Sequence, residues 1–300
     1  MRLPDLEELL ALRGAARALS LRAHGPARAL LLGSHRSAHH GRGLEFEEVR
    51  LYAAGDDPRS IDWRVTARRG RVHTKLFREE RERPVWLLVD LDTGMYFGSR
   101  SQLKSMVAVR AAALLAWVAA SGGDRVGAVV VNSSEVRVLP PRSREAGVLP
   151  LLSVLTELQP RAPGRTSAES LHRGLVTLAP LIHPGSLVLA LSDFSGAELA
   201  EDQGRWSGMA AHSECRWIWI RDPLEAQALP DGRFRAGSPE PVVPIDGASI
   251  RASWRTAWRE REARIQSSAQ STRIELLSLD TSEEVAGALT RSLRSPKTAA

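Results

Sequence analysis

From residue 85 onward, short apolar runs alternate with stretches of helical spacing. Residues 85–89 form a continuous apolar run, which is typical of a strand buried on both faces. Apolar side chains then recur with helical spacing over residues 103–118, and glycines at 122 and 123 end the predicted helix. Further strands are predicted at 126–131, 186–191, 215–220 and 273–278, and further helices at 144–158, 167–179, 195–208, 249–267 and 282–294.

This alternation predicts an α/β fold with a central, mostly parallel, Rossmann-like sheet and helices on both faces. The pattern upstream is different. Residues 4–22 carry an apolar stripe behind a proline and three acids, which predicts a helix. Residues 33–43 form a glycine-rich loop, and residues 44–52 and 71–78 are predicted to pair as an antiparallel β-hairpin.

The sequence therefore predicts three segments. Residues 1–82 hold the N-terminal helix, the glycine-rich loop and the hairpin, residues 83–295 form the α/β domain, and residues 296–300 are a tail. The stretch 222–247, rich in Pro and Gly, is predicted to be a hairpin or a long loop within the α/β domain.

At 300 residues, with 43% hydrophobic and 25% charged residues, the chain has the composition of a soluble globular protein. Its single cysteine, Cys215, cannot form an internal disulfide, which fits a reducing compartment. The start of the chain lacks the apolar core of a signal peptide, and the longest apolar run, 111–120, is far shorter than the roughly 20 residues of a membrane span. We therefore expect a cytoplasmic protein with no membrane span.

The net charge of +6 comes from arginine, because Lys75, Lys104 and Lys297 are the only lysines. Residues 1–44 hold seven arginines against three acids. This basic segment could contact nucleic-acid phosphate or an acidic partner, or it could be an ordinary solvated face.

Polar side chains cluster where the predicted strands end. Asp90 and Asp92 follow the first strand of the α/β domain, Thr166 lies in a loop before a helix, and Asp193 follows the strand 186–191. Ligands of open α/β sheets bind beyond the carboxyl ends of the strands. Carboxylate and hydroxyl oxygens there would suit Mg²⁺ or Mn²⁺. In the alternative interpretation, an arginine or turn amides satisfy these carboxylates.

This arrangement resembles the metal-ion-dependent adhesion site of von Willebrand factor A domains. The resemblance implies a bound Mg²⁺ or Mn²⁺ with an open position for a partner's carboxylate. Its ligands would be Asp90, Asp92, Thr166 and Asp193. Asp92 and Gly94 depart from the family pattern, since both stand where the family has serines. Without a metal, the carboxylates would repel one another, so a cation, an arginine or a proton must compensate them.

The upstream segment carries a longer set of fixed spacings. They are Gly33-x-x-Arg36-Ser37, Gly41-x-Gly43-x-Glu45-Phe46, Arg50-x-Tyr52, Gly55-Asp56-Asp57-x-Arg59-x-Ile61-Asp62-Trp63 and Thr66-Ala67-Arg68. Together they resemble the signature of the domain-of-unknown-function 58 family, and Asp222-Pro223-Leu224-Glu225 also matches, so the resemblance runs from about residue 25 to 295. It implies a von Willebrand factor A-like domain and a MoxR-type AAA+ ATPase as partner.

The segment 50–68 balances acids against guanidinium groups, which can form a charge-assisted hydrogen-bond network with Tyr52 and Trp63 packed beneath it. One interpretation is a scaffold that locks the hairpin onto the α/β domain. The other is a docking surface for the ATPase, because Arg, Trp and Tyr are enriched in binding hot spots. Its residues would be Arg50, Tyr52, Asp56, Asp57, Arg59, Asp62, Trp63 and Arg68.

Other residues favour structural roles. The glycine-rich loop contains three histidines, His35, His39 and His40. No Cys or acid lies at a spacing that would complete a metal site with them, so they are predicted to be ordinary loop residues. Trp254 and Trp258 lie one helical turn apart and are predicted to belong to the core. Cys215 opens an apolar strand with no assigned His partner, and Ser192 lies outside a Gly-x-Ser-x-Gly elbow.

The chain also lacks a Walker-type phosphate loop, which leaves ATP hydrolysis to another chain. The leading hypothesis is a non-enzymatic adaptor, without catalytic residues, that connects a MoxR-like AAA+ ATPase to a protein client. Nucleic-acid binding through the basic N-terminal segment is the alternative. A metal-dependent hydrolase ranks third, because no general base is assigned.

Overall fold

The computed structural model describes residues 2–21, 44–53, 56, 58–79, 82–164, 167, 169–195, 199–236 and 243–294. The strands are β1 (Leu44–Leu51), β2 (His73–Glu79), β3 (Pro84–Asp90), β4 (Arg125–Val131), β5 (Val136–Ser143), β6 (Leu187–Ser192), β7 (Glu214–Arg221), β8 (Arg233–Ala236), β9 (Val243–Asp246) and β10 (Glu275–Asp280). The α-helices are α1 (Leu6–Ala11), α2 (Arg13–Ala16), α3 (Trp63–Arg69), α4 (Lys104–Ser121), α5 (Glu145–Leu158), α6 (Ser170–Leu178), α7 (Gln203–His212), α8 (Pro223–Gln227), α9 (Gly247–Thr272) and α10 (Val285–Arg294).

The chain divides into two compact units, a smaller one of residues 25–82 and a larger one made of the residues on either side. A six-stranded sheet forms the centre of the larger unit, in the order β10-β7-β6-β3-β4-β5. Neighbouring strands in this sheet are parallel, except that β4 and β5 are antiparallel. The predicted α/β architecture with a mostly parallel sheet is confirmed.

Helices cover both faces of this sheet, as predicted. Side chains alternate along β3, so that Leu87 joins one apolar core while Trp86 and Leu88 join the other. The first core lies among α1, α2, α4, α5 and α10, and the second among α6, α7 and α9. A strand flanked by two cores must be apolar throughout, which explains the continuous run at residues 85–89.

Helix α4 is the central helix of the first core. Among the described residues it is the one helix long and apolar enough to cross a membrane by length and composition, and 83% of it is buried within the fold. The core helix of a folded domain meets the same criteria, so this property is weak evidence for a membrane span.

The N-terminal helix differs from the prediction in both extent and location. Two short helices, α1 and α2, replace the helix predicted over 4–22, and Asp5 caps α1 by accepting a hydrogen bond from the Glu8 amide at 2.9 Å. Leu9 is fully buried in the first core, and its carbonyl accepts a hydrogen bond from Trp117 at 3.0 Å. Residues 2–21 therefore belong to the larger unit. The predicted boundary between residues 82 and 83 is present, but the predicted grouping of the N-terminal helix with the hairpin is wrong.

Three further elements were not predicted, and one was misplaced. β5 is an edge strand that contains Pro140 and Pro141, and prolines mask a strand pattern. Short helices α3 and α8 lie where turns or loops were expected. α7 spans Gln203–His212 instead of 195–208. Of the two forms expected within 222–247, a hairpin or a long loop, the structure has a hairpin of β8 and β9.

The smaller unit is built on the predicted antiparallel hairpin of β1 and β2. Asp62 begins α3 by accepting hydrogen bonds from the amides of Arg64 and Val65 at 3.0 and 3.1 Å. Gly70 ends the helix with a φ of +69°, a conformation that glycine adopts without steric cost.

Candidate functional site

Loops from different parts of the chain meet at the carboxyl edge of the sheet. Asp90 ends β3, and Asp193 directly follows β6, the strand that pairs with β3 in parallel. The Ser167 amide donates a hydrogen bond to Asp92 Oδ2 at 3.0 Å, which brings the third predicted loop to the same place. The predicted convergence of these loops is therefore present. Thr166, the fourth predicted ligand, lies outside the described residues.

Asp90 is a buried carboxyl group satisfied by hydroxyls and an amide. Its Oδ2 accepts a hydrogen bond from Ser192 Oγ at 2.7 Å, and its Oδ1 accepts from Ser170 Oγ at 2.9 Å and from the Asp92 amide at 3.1 Å. Burial raises the pKa of Asp90 to about 6, and the negative charge of Asp193 adds to the increase. Asp90 is thus the member of the cluster that a proton can neutralise.

Asp92 is held by turn amides on one side only. Its Oδ2 accepts hydrogen bonds from the amides of Gly94 and Ser167, at 3.1 and 3.0 Å. Gly94, which lacks the hydroxyl of the family pattern, therefore contributes its backbone N–H. Asp92 is only 3% exposed, and no group in the described part of the chain donates to its Oδ1.

Asp193 is neutralised by two cationic side chains. Lys104, the first residue of α4, places its Nζ 2.5 Å from Asp193 Oδ2, and a guanidinium nitrogen of Arg261 lies 3.4 Å from the same oxygen. Burial alone would raise the pKa of Asp193, but the charges of Lys104 and Arg261 outweigh it and hold that pKa well below its ordinary value. Asp193 therefore stays ionised.

Lys104 and Arg261 also share a second carboxylate. Glu225 Oε1 lies 3.0 Å from Lys104 Nζ and 3.2 Å from Arg261 Nη1. Burial opposes the charged form of Lys104, yet its two carboxylate partners raise its pKa above the ordinary value. The four side chains of Asp193, Glu225, Lys104 and Arg261, here called the ion-pair cluster, therefore balance two negative charges with two positive ones.

The described side chains fit an internal ammonium better than Mg²⁺ or Mn²⁺, which takes about six oxygen ligands. Across the described ranges, no group of three or more His, Cys, Asp or Glu side chains is arranged to hold a metal. Asp193 is committed to Lys104 and Arg261, and both oxygens of Asp90 already accept hydrogen bonds. The metal ion therefore stays a prediction.

Sequence reasoning allowed for an arginine beside these carboxylates but identified neither Lys104 nor Arg261. Lys104 is one of three lysines in a chain whose other basic residues, apart from histidine, are arginines. It begins a helix whose neighbouring positions are almost all buried, and a buried lysine needs a partner. That combination was the available signal. Arg261 gave no signal, because α9 carries many exposed arginines of the same appearance.

The predicted docking residues around the hairpin show a different arrangement from the one expected. Arg50 and Asp56 form one ion pair of the predicted network, with two hydrogen bonds of 2.9 and 2.7 Å, and Tyr52 donates to the Asp56 carbonyl at 3.1 Å. The hydrogen bond from Arg50 lowers the pKa of Asp56. Trp63 does not pack beneath this network: its side chain is 68% exposed, which corrects the prediction.

The remaining predicted docking residues differ in their contacts and exposure. Arg59 and Asp62 are both engaged in contacts, and Asp62 also caps α3. Arg68 is exposed on the same helix. Asp57 lies outside the described residues, as do the loop histidines His35, His39 and His40.

Cys215 and the tryptophans of α9 occupy structural positions. Burial raises the pKa of the Cys215 thiol to about 12, which disfavours the nucleophilic thiolate. Trp258 is buried and stacks on Trp219 at 5.5 Å between ring centroids, as predicted for a core residue. Trp254 is half-buried and donates a hydrogen bond to the Glu225 carbonyl at 2.9 Å.

Fold and site together define an α/β protein with an internally compensated carboxylate cluster at the carboxyl edge of its sheet. A sequence profile described as "Protein of unknown function DUF58" matches residues 48–266, so the chain belongs to the DUF58 family, and the predicted family is confirmed. Uncharacterized proteins of Mycobacterium tuberculosis (strain ATCC 25618 / H37Rv) and Mycobacterium bovis (strain ATCC BAA-935 / AF2122/97) are each 30% identical to it over 227 residues. Both alignments cover 73% of this chain and 68% of the relative.

Two solved structures are similar to this chain at low sequence identity. One, described as an aerotolerance-related membrane protein from Bacteroides fragilis NCTC 9343, has a TM-score of 0.46 and 16% identity over 70% of this chain and 98% of its own. The other, the conserved hypothetical protein BatB from Bacteroides thetaiotaomicron, has a TM-score of 0.43 and 12% identity over 70% and 97%.

Proposed function

We propose that this DUF58 chain is a non-enzymatic adaptor that binds a MoxR-like AAA+ ATPase and connects it to a protein client. Its larger unit is, in this proposal, a von Willebrand factor A-like domain. The observation that carries the proposal is the 68% exposure of Trp63 on the smaller unit. Large exposed aromatic side chains are costly in water and are enriched in binding hot spots.

Trp63 is accompanied by other exposed apolar residues. Leu51 is 50% exposed and Val72 is 43% exposed. All three residues lie close to His73 along the backbone. His73 follows Val72 and pairs with Leu51 in the hairpin. Its carbonyl accepts a hydrogen bond at 2.8 Å from the amide of Asp62, the residue before Trp63. We call the exposed surface around Trp63 the apolar docking surface. An exposed tryptophan on a small unit fits a protein partner better than free solvent.

The carboxyl edge supports the non-enzymatic part of the proposal. Asp193 is tied in two ion pairs, and a general base must be free to accept a proton. Ser192 Oγ donates to Asp90 and accepts from the Phe194 amide at 3.0 Å, so its hydroxyl holds the loop together. These side chains serve to fix the shape of the edge.

The test is binding of the full chain to the purified MoxR-like ATPase from the same genome, measured by biolayer interferometry. Trp63→Ala is expected to weaken binding by about 30-fold, as removal of a hot-spot tryptophan costs at least ~2 kcal/mol. Leu149→Ala is the control, because Leu149 is 40% exposed on the larger unit. Equal binding by wild type and Trp63→Ala would refute docking through this surface.

A second arm separates this contact from a metal bridge at the carboxyl edge. Docking through Trp63 is expected to be unaffected by EDTA and by Asp193→Asn. Glu214→Gln serves as the matched control, since Glu214 is also ion-paired but begins its strand at the opposite edge of the sheet. Loss of binding in EDTA together with Asp193→Asn, but not Glu214→Gln, would assign the contact to a bound cation instead.

A further inference from the structure

A groove of about 500 Å³ lies on the larger unit, between the loop 99–101, α8 and the first half of α9. Among the described residues, its lining combines arginines with apolar side chains. These are Arg100, Arg251, Arg255, Leu224, Leu229 and Pro230. A second depression of about 570 Å³ shares Arg100 and Gln227 with it and extends it past Ser282, along the carboxyl edge. We call this continuous feature the arginine groove.

The arginine groove carries uncompensated positive charge. Arg100 and Arg255 are exposed, and no carboxylate in the described part of the chain pairs with either. Arg251 pairs with Asp231, whose side chain is 80% exposed. Arg251 and Arg255 lie one turn apart on α9 and therefore share one side of the helix. The positive groups thus come from α9 and from the loop 99–101.

The backbone around the groove is held in place by buried hydrogen bonds. Asp222 is fully buried and accepts hydrogen bonds from Ser99 N and Ser99 Oγ, at 2.8 and 2.5 Å, and from Thr281 Oγ1 at 2.5 Å. It also caps α8, and Trp254 on α9 donates to the Glu225 carbonyl of α8 at 2.9 Å. The loop with Arg100 and both helices are therefore fixed, which lowers the entropy cost of binding.

We propose that the arginine groove binds an acidic segment of a partner protein. Two of the segment's carboxylates lie against Arg100 and Arg255, and an aliphatic side chain between them rests on Leu224 and Leu229. The guanidinium fork matches a carboxylate with two parallel hydrogen bonds, which favours Asp and Glu as ligands.

The lining favours a peptide over nucleic acid. Single-stranded nucleic acid is usually bound by aromatic side chains on which the bases stack. The described lining offers leucine and proline in that place. Aliphatic surface beside guanidinium groups suits a peptide that alternates acidic and aliphatic residues.

This inference is independent of docking through Trp63, because the two surfaces lie on different units. The experiment uses the full chain and a fluorescein-labelled synthetic peptide of alternating Glu and Leu, followed by fluorescence anisotropy. The variants are Arg100→Gln with Arg255→Gln, and, as a control for net charge, Arg125→Gln with Arg161→Gln, which removes two exposed arginines elsewhere.

We expect the Arg100/Arg255 double variant to weaken peptide binding at least about tenfold, and the Arg125/Arg161 double variant to change it less than about twofold. A peptide with Gln in place of Glu is expected not to bind. Three results would overturn the proposal: no binding of the acidic peptide to the wild type, equal weakening by both double variants, or tighter binding of a labelled oligothymidylate than of the peptide. Trp63→Ala is expected to leave peptide binding unchanged, so failure here and failure of the adaptor function are distinguishable.

Discussion

Removal of the Lys104 ammonium tests whether the ion-pair cluster has the internal cation that we assign to it. Lys104→Met retains a chain of similar length and removes only the charge and its hydrogen bonds. Lys104 and Asp193 are 3% and 4% exposed at their side chains, so the pair is effectively desolvated. Breaking a buried ion pair by removal of one partner costs about 3–5 kcal/mol.

The structure places the expected loss at the lower end of this range. Arg261 remains within 3.4 Å of Asp193 and 3.2 Å of Glu225, so neither carboxylate is left without a positive neighbour. We therefore expect a loss of about 3 kcal/mol in the free energy of unfolding at pH 7. For a domain of this size that corresponds to a decrease in Tm of roughly 6–12 °C.

The loss should also depend on pH. In the wild type the pKa of Asp193 is depressed, so its ion pairs stabilise the fold above the ordinary value of 3.8, and this stabilisation is lost as the pH falls further. Without Lys104, the pKa of Asp193 loses its largest lowering contribution while burial still opposes the charged form, so the folded variant takes up a proton at a higher pH than the wild type. The difference in stability between variant and wild type should therefore shrink as the pH falls from 7.

Urea denaturation followed by tryptophan fluorescence measures both effects. Asp193→Asn in the Lys104→Met background is the second arm of a double-mutant cycle, and it should cost less than Asp193→Asn alone. The reasoning is refuted by a loss below about 1 kcal/mol at pH 7, or by additive effects of the two substitutions.

Three further predictions rest on separate features. Asp90→Asn, in buffer with EDTA, should be more stable than the wild type at pH 8 by up to about 3 kcal/mol, because the raised pKa of Asp90, about 6, disfavours the ionised form. That advantage should vanish near pH 4, where Asp90 is protonated, and an equal advantage at both pH values would contradict the assignment. Gly174→Ala should destabilise the fold by about 1–3 kcal/mol in thermal unfolding, since the added Cβ would lie 2.8 Å from Leu88 Cδ1. Gly208→Ala is the contrasting variant: its Cβ would have nothing within 4 Å, so it should stabilise α7 by up to about 1 kcal/mol. Cys215 should react with a thiol reagent at pH 8 only after urea is added, because its pKa is about 12, and rapid labelling of the native protein would disagree.

The part of the site that follows from strand topology could be predicted from the sequence. Asp90 and Asp193 each come directly after an apolar run, and parallel strands end at a common edge. Their proximity therefore required only the correct assignment of two strands. The same logic placed the loop before α6 near Asp92, and the Ser167 hydrogen bond shows it there.

The part that depends on side-chain reach could not be predicted. Arg261 approaches Asp193 because α9 crosses the carboxyl edge, and this crossing is set by the packing of Trp258 and Ile265 in the second core. Trp63 was expected beneath the hydrogen-bond network, but α3 is only seven residues long, too short to show which face is apolar. Exposure of a single helical residue is a tertiary property.

The charges at the carboxyl edge balance without the serines of the metal-site pattern, which Asp92 and Gly94 replace. Asp193 and Glu225 are matched by Lys104 and Arg261, and Asp90 can be neutralised by a proton. A divalent cation bound to Asp193 would have to displace a buried ammonium, which leaves that ammonium with one carboxylate fewer, or share the carboxylate with it, which leaves excess positive charge in a desolvated site. The substitution of Gly94 for a hydroxyl residue costs nothing in such a site, because the Gly94 amide already donates to Asp92. An internal lysine thus holds the carboxylates of the carboxyl edge in place through buried ion pairs.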